Sequence, residues 1–341
     1  MCSNRTRRRG LGLTNMLSES AGKAEIETQS RLSCPACGSE IHERVGGYAP
    51  PISLVLAGQS CQLGSYHIRK CSRCELYFKS DVMTENSLGR YYDALDYHIF
   101  EFEDEFPTDR VARESIDRLE DGAVVLDFGC STGRILKGRT SRLDCRGVEP
   151  NAAAAAMASD RGIQIHDEGS VFLGMKGQVD LVLLADVFEH LPSPLSTLER
   201  LASLLSPRGR ILIVTGNADA VLTPSRMGEF WYFRIEGHLQ MMSEKHAAWL
   251  AEHLGLELSG IRRCSHYSTS LPTRLRQMVQ DFAYSEFKDR PQSRFSRLMR
   301  RLPWVRRAEF WPNAPALTCT KDHLVVTLAR RGGFEAPWTR S

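Results

Sequence analysis

Between residues 123 and 215 the chain alternates short, almost wholly apolar runs with stretches of helical spacing. The runs are 124–126, 145–148, 179–185 and 211–215. Before the last of them, "LSTLERLASLLS" sets Leu195, Leu198, Leu201, Leu204 and Leu205 on one helical stripe. Strands that are apolar on both faces and separated by helices predict a parallel sheet covered on both sides. "SPRGR" (206–210) reads as a turn feeding the fourth run. Ser243 is placed to cap the helix "SEKHAAWLAEHLG", which Gly255 stops. "LELSGIRRCSHYS" and "DHLVVTLARR" read as two closing strands, with a helical, basic insertion at 270–318. The expected fold is α/β: a Rossmann-like, doubly wound, mostly parallel sheet, occupying 121–331.

The first run ends in "VLDFGCSTGR", where an acid is followed by a glycine-rich break. A phosphate-binding P-loop requires Lys-Ser/Thr after its last glycine, and none follows. The dinucleotide fingerprint requires a third glycine, which is absent, and an acid at the strand end repels pyrophosphate. Asp127 attracts a cation instead, and Glu149, twenty residues after Gly129, ends the next strand where an acid can accept ribose hydroxyls. S-adenosylmethionine carries an ammonium, a sulfonium and no phosphate, and fits this pair of acids better than NAD. The plainer alternative is a glycine turn in a generic sheet, with Asp127 capping a helix.

Of ten cysteines, Cys34, Cys37, Cys71 and Cys74 form two C-x-x-C pairs with 33 residues between them. That spacing suits a four-thiolate Zn2+ site, closed and therefore structural. It places a small zinc ribbon at 31–82. Tyr48, Pro50, Pro51 and Tyr66 in its long loop are available to cover substrate, and Cys61 reads as a spectator. Residues 1–30 lack periodicity and read as a disordered tail, and 332–341 as a tail; 83–120 read as connector or lid helices, with Tyr91, Tyr92 and Tyr97 as lid candidates. No apolar run approaches a membrane span, and the basic N-terminus has no apolar stretch behind it, so a cytoplasmic location is expected. A net charge of +3 does not by itself point to nucleic acid.

"VLDFGCSTGR", "GVEPN", "DLVLLADVFEHLPSP", "LSPRGRILIVTGN" and "HLQMMSEKHAAWLAEHLGLEL" occur in the order seen in class I S-adenosylmethionine-dependent methyltransferases. The chain resembles the branch with D-V-x-E-H-L after the fourth strand. Its N-terminal part resembles the zinc-ribbon leader on members that modify sugars, polysaccharides or secondary metabolites. The resemblance spans about 31–268 and the last strand. It implies that Asp127, Gly129, Cys130, Ser131 and Gly133 line the methionine end, that Glu149 holds the ribose, and that Pro150 flanks the adenine. Asp167 is an adenine candidate or a surface turn acid, and Asp186 lies beside the transferred methyl. Ser131 stands where glycine is commoner, Glu75 where the ribbon has glycine, and 270–318 has no counterpart.

Transfer to an alcohol or acidic carbon requires loss of a proton. His190, four residues past Asp186, is the candidate base, because imidazole titrates near neutrality. The competing reading is that it packs the short helix "VFEHL" with Glu189 solvated. His238 and Glu236, in "IEGHLQMM", complete an acceptor-side cluster, each with a structural role as its alternative. The fourth strand lacks the Asn/Asp-Pro-Pro-aromatic cradle for a nucleobase amine, and no cysteine follows it to attack a pyrimidine ring. The sequence thus predicts methyl transfer to a hydroxyl, less readily to carbon or nitrogen, of a sugar, glycan or small metabolite. The alternatives are a zinc-ribbon ribosomal or transfer RNA methyltransferase, and a non-catalytic scaffold of the same fold. Segment 286–310 carries eight Lys/Arg against three acids with interleaved Phe295, Leu298, Met299, Leu302 and Trp304. It reads as a solvated helix packed on the domain, a peripheral membrane contact, or a polyanion contact.

Overall fold

A computed structural model describes residues 26–48, 52–56, 59–63, 65–94, 106–221, 224–311, 313–315, 317 and 320–332. Residues 1–25 of the expected tail, Pro50, Pro51, Tyr97 and 333–341 lie outside the described residues, as do the side chains of Cys61 and Trp304.

The N-terminal part contains β1 (Thr28–Ser30), β2 (His42–Tyr48), β3 (Ile52–Leu56), β4 (Gln59–Leu63), β5 (Tyr66–Cys71), β6 (Tyr77–Lys79) and β7 (Asp81–Met83). β1 pairs antiparallel with β7, so residues 28–30 of the stretch expected to be a disordered tail form a strand. α1 (Glu85–Asp93) and α2 (Pro107–Ile116) follow. Thr84 caps α1 by accepting from the Ser87 N–H, and Pro107 opens α2 at the one position where a missing N–H costs nothing.

The main sheet is built from β8 (Val124–Phe128), β9 (Asp144–Val148), β10 (Gln164–His166), β11 (Val179–Ala185), β12 (Leu205–Gly216), β14 (Glu257–Cys264) and β15 (His323–Ala329). Their spatial order is β10-β9-β8-β11-β12-β15-β14. All neighbours are parallel except β15, which runs antiparallel to both β12 and β14. Successive strands leave β8 in one direction and then in the other, so the switch point falls between β8 and β11, where ligands of doubly wound sheets bind. α3 (Ala152–Asp160), α4 (Glu168–Gly174), α5 (Pro194–Leu204) and α6 (Glu244–His253) cover the sheet.

The alternation of side chains explains why the strands read as continuous apolar runs. Leu126, Val182, Leu184, Ile211 and Ile213 face the α5–α6 side, whereas Val125, Leu181, Leu183, Leu212 and Val214 face the α2–α3 side. The expected turn at 206–210 is instead enclosed within β12. Val179 pairs with Leu205 and Leu181 with Arg210, so the residues between bulge out of the ladder. The Ser243 side chain accepts from the His246 N–H, and Gly255 closes α6 with φ +66°. Instead of a helix, turns follow the glycine loop up to β9.

The N-terminal strands join this domain through β13 (Gln240–Met241), which adds to a second sheet of order β13-β6-β5-β2. Beyond β14 the insertion forms α7 (Leu271–Asp289), α8 (Arg294–Met299) and α9 (Pro303–Arg306), whose inner face packs Ala283, Tyr284, Phe287, Met299, Val305 and Ala308 together.

Candidate active site

Asp127 sits on β8 one residue before its end, opposite Gly147 of β9. Its carboxyl is buried and has no hydrogen bond or ion pair among the described residues. Burial, reinforced by the nearby Glu149 charge, pushes it up to about 7. A buried carboxylate of this kind is stabilised by a cation. Glu149 follows β9 and straddles the turn, accepting from the Ser131 N–H at 2.9 Å and the Asn151 N–H at 2.9 Å. Burial raises it too, against these two bonds.

The glycines are required by space as well as by conformation. Gly129 has φ +78°, and a Cβ there would lie 2.6 Å from Val187 Cγ2. Gly133 has φ +76°, and a Cβ there would meet Ile163 Cδ1 at 2.5 Å. Ser131 also takes a left-handed φ of +48°, so glycine at this position would relieve conformational cost, not merely bulk. Cys130 is buried with its thiol pushed up by burial, and it packs so close to Gly147 that a Cβ there would be 2.7 Å from its Sγ. Pro150 is exposed just beyond β9. Asp167 is exposed and caps α4, accepting from the Ser170 N–H at 2.9 Å.

Across the switch point, Asp186 follows β11 directly and turns the chain with φ +55°. Glu189 and His190 follow in a short 3-10 turn (Phe188–His190). The structure overturns the solvated Glu189 of the competing reading: it is fully buried, accepting from the Tyr232 hydroxyl and, at 2.9 Å, from Thr215 Oγ1. Burial and then the Asp186 charge push it up to about 7. His190 Nδ1 lies 2.9 Å from the Gly237 carbonyl oxygen and 2.6 Å from the Tyr92 hydroxyl. A carbonyl only accepts, so the bond assigns the proton to Nδ1 and leaves the Nε2 lone pair bare. Burial lowers this imidazole to about 4, so it is neutral near pH 7.

His238 packs its ring 4.7 Å from that of His190 and 4.1 Å from that of Tyr232. One ligating atom from each of Glu189, His190 and His238 lies within 4.8 Å of the others. Thus the acid that joins the two imidazoles is Glu189. Glu236, in the same loop as His238, is raised by burial and faces the charge of Lys79. Lys79 itself is buried, lowered to about 7 by desolvation, and donates to the Ile235 carbonyl at 2.9 Å. Of the lid candidates, Tyr91 packs within the α1–β7 core, and Tyr92 reaches His190.

Sequence reasoning missed Lys79, Tyr232, His266 and His323. His266 and His323 follow and open the two closing strands, at the edge of the sheet that holds Asp186. His323 Nε2 lies 3.5 Å from Asp186 Oδ1 and its Nδ1 lies 3.3 Å from Asp322 Oδ1. Burial works against its charge, but the two carboxylates outweigh it and hold the imidazolium up to about 10. The one available signal was position, a histidine at each strand end on the carboxyl edge.

The four ribbon cysteines converge, with Cys34 and Cys74 Sγ atoms 3.5 Å apart and Cys37 and Cys71 likewise 3.5 Å apart. Thiolates around one ion at ~2.3 Å stand roughly 3.8 Å apart, so the set fits tetrahedral Zn2+. The two knuckles match: Gly38 and Glu75, with φ +69° and +60°, donate their N–H groups back to Cys34 and Cys71. Glu75 adopts the glycine conformation, and its carboxylate pairs with Lys70 at 2.8 Å.

Residues 99–259 match a family model described as a methyltransferase domain. The ubiquinone biosynthesis O-methyltransferase of Aeromonas salmonicida (strain A449) is 27% identical over 145 residues, 38% of this chain. The chain spans 60% of the length of that curated relative. Among solved structures, the putative methyltransferase in complex with the Haloferax volcanii Trm112 methyltransferase activator is 15% identical with a TM-score of 0.43, covering 66% of this chain and 90% of that one. A SAM-dependent methyltransferase from Archaeoglobus fulgidus is 13% identical with a TM-score of 0.41, covering 72% and 100%. Strand order and the matching segment agree on the fold: it is the Rossmann-like, mostly parallel α/β fold of class I methyltransferases.

Proposed function

We propose that the protein transfers a methyl group from S-adenosylmethionine to a hydroxyl of a sugar, glycan or small metabolite. The observation that carries this reading is the pairing, across one switch point, of an unpartnered buried Asp127 with a neutral imidazole whose Nε2 is bare. Asp127, the 129–133 turn and Glu149 hold the donor, with Asp186 at its reactive end. The donor, when bound, supplies an electrophilic methyl and departs as a neutral thioether, so the leaving group calls for no acid. What the protein must provide is alignment and removal of the acceptor proton. His190 Nε2 takes that proton, while Gly237 and Tyr92 fix the ring through Nδ1. His238 and Glu236 line the acceptor side. The four ribbon cysteines hold a structural Zn2+.

Titration calorimetry with S-adenosylmethionine and a labelled-methyl screen of nucleotide sugars, glycans and metabolites test the reading. His190→Ala should lower turnover by roughly 10²–10⁴-fold, the range of a lost general base, with donor affinity nearly unchanged. Loss of donor binding in that variant removes His190 from the base role. Acceptor binding that collapses as salt rises would favour RNA.

The insertion supports a peripheral contact with an anionic bilayer. Leu271, Leu275, Met278 and Phe282 form an exposed apolar stripe along α7, continued on α8 by Phe295 and Leu298. The Phe282 and Phe295 rings touch edge-on with centroids 5.6 Å apart, so the two helices present one surface. Exposed Arg276, Arg290, Arg294, Arg297 and Arg301 flank it, complementary to anionic headgroups. Among the described residues no helix is long and apolar enough to cross a membrane.

A further inference from the structure

We infer that Asp186, His266 and His323 form a second metal site, for a divalent first-row transition ion, on the acceptor half of the crevice. One ligating atom from each lies within 4.8 Å of the other two. The three come from elements far apart in the chain: the end of β11, the loop after β14, and the first residue of β15. Because β15 is antiparallel, its start lies at the same sheet edge as the ends of β11 and β14.

The distances suit a shared ion better than a hydrogen bond. Asp186 Oδ1 is buried without a hydrogen-bond partner, and it stands 3.5 Å from His323 Nε2. Two donors held ~2.1 Å from one tetrahedral ion lie about 3.4 Å apart. Both imidazoles are braced from behind, as ligating histidines usually are. Asp322 Oδ1 lies 3.3 Å from His323 Nδ1, and Thr108 Oγ1 lies 3.2 Å from His266 Nδ1. That leaves Nε2 of each ring as the ligand atom. Asp322 is itself anchored by accepting from the His266 N–H at 2.9 Å, so one outer carboxylate orients both histidine segments. The His266 and His323 rings lie nearly parallel, 4.7 Å apart, and Phe106 stacks on His266 at 4.2 Å, which fixes their planes.

Two imidazoles and one carboxylate select Zn2+, Fe2+, Co2+ or Mn2+ over Ca2+ or Mg2+ and leave coordination positions open. The Asp186 side chain is 33% exposed, so the open side meets solvent. The assignment of the ion stands without the methyltransferase reading; only its use, to take an acceptor oxygen, rests on that reading.

Cobalt titration of the metal-depleted full chain at pH 8 tests the site. Wild type should take up two equivalents, one with strong thiolate charge-transfer absorption and one with only weak visible bands. His266→Ala should lose the second and keep the first, Cys34→Ser should lose the first, and Asp322→Asn should weaken the second roughly 10–100-fold. His323 is buried and its replacement risks unfolding, so the less buried His266 carries the test, with a melting curve to verify folding. A single equivalent in wild type, or a second equivalent that survives in His266→Ala, overturns the site. Donor calorimetry on the same samples separates the two readings: an absent donor signal with two cobalt ions bound overturns the methyl-transfer reading and supports the metal assignment.

Discussion

Asp127 shows how one residue's surroundings set its chemistry. Its folded pKa is raised to about 7 from an ordinary value near 4, so the burial favours the neutral acid. The associated stability is fully present below pH 4 and is lost as pH climbs through 7. A cationic donor binds the ionised form. Donor affinity should therefore rise up to tenfold per unit between pH 5.5 and 7 and level off above, and Asp127→Asn should abolish both the slope and most of the affinity. Calorimetry across that range checks the slope; a flat profile in wild type rejects the coupling. Gly129→Ala tests the turn by geometry alone. With φ +78° and a Cβ 2.6 Å from Val187, it should weaken donor binding by roughly 10–100-fold, the scale of about 1–3 kcal/mol of local strain. The "DFGCSTG" break announced this turn in the sequence, because glycine is the residue that takes a left-handed, close-packed backbone without strain. Glu189 carried no comparable signal, since an acid beside a histidine looks solvated until Tyr232 and Thr215 enclose it.

Among elements, the N-terminal strands brace the 228–238 loop. Tyr66 on β5 donates to the Gly228 and Phe233 carbonyls at 3.2 and 2.7 Å, and Lys79 on β6 donates to Ile235. On the other side, His246 of α6 lies 2.7 Å from the Cys74 carbonyl oxygen, so the knuckle is keyed into the methyltransferase domain. Cys74→Ser, or stripping the ion, should lower the melting temperature by roughly 10 °C or more, the scale of several kcal/mol for a chain of this size. Turnover should fall further than donor affinity, because the loop bearing His238 relaxes while β8 and β9 do not. Scanning calorimetry and donor titration on the same sample check both. Paired cysteines and apolar strands are local patterns and are legible as such. The bulge within β12 is not, because only pairing with Val179 and Leu181 distinguishes it from a free turn.

At the scale of the molecule, the proposed bilayer contact belongs to the α7–α8 surface. One face of the insertion closes its own small core while the other exposes a row of large apolar side chains among arginines. Flotation with vesicles containing phosphatidylglycerol should recover the protein at low salt, and neutral vesicles should recover far less. Leu275→Glu with Phe282→Glu should reduce recovery at least tenfold while donor affinity is unaffected; retention by that variant rejects the contact. From residue order alone follow the strand–helix alternation, the glycine turn with its two acids, and the cysteine pairs. Each is a short-range pattern dictated by backbone geometry and side-chain period. Only the tertiary structure decided which distant groups meet: Glu189 with Tyr232, His190 with Tyr92, Asp186 with His323. The physical reason is that a buried polar group takes its partners from the strand order of the sheet. Here that order sets β15 between β12 and β14, and no spacing along the chain encodes it.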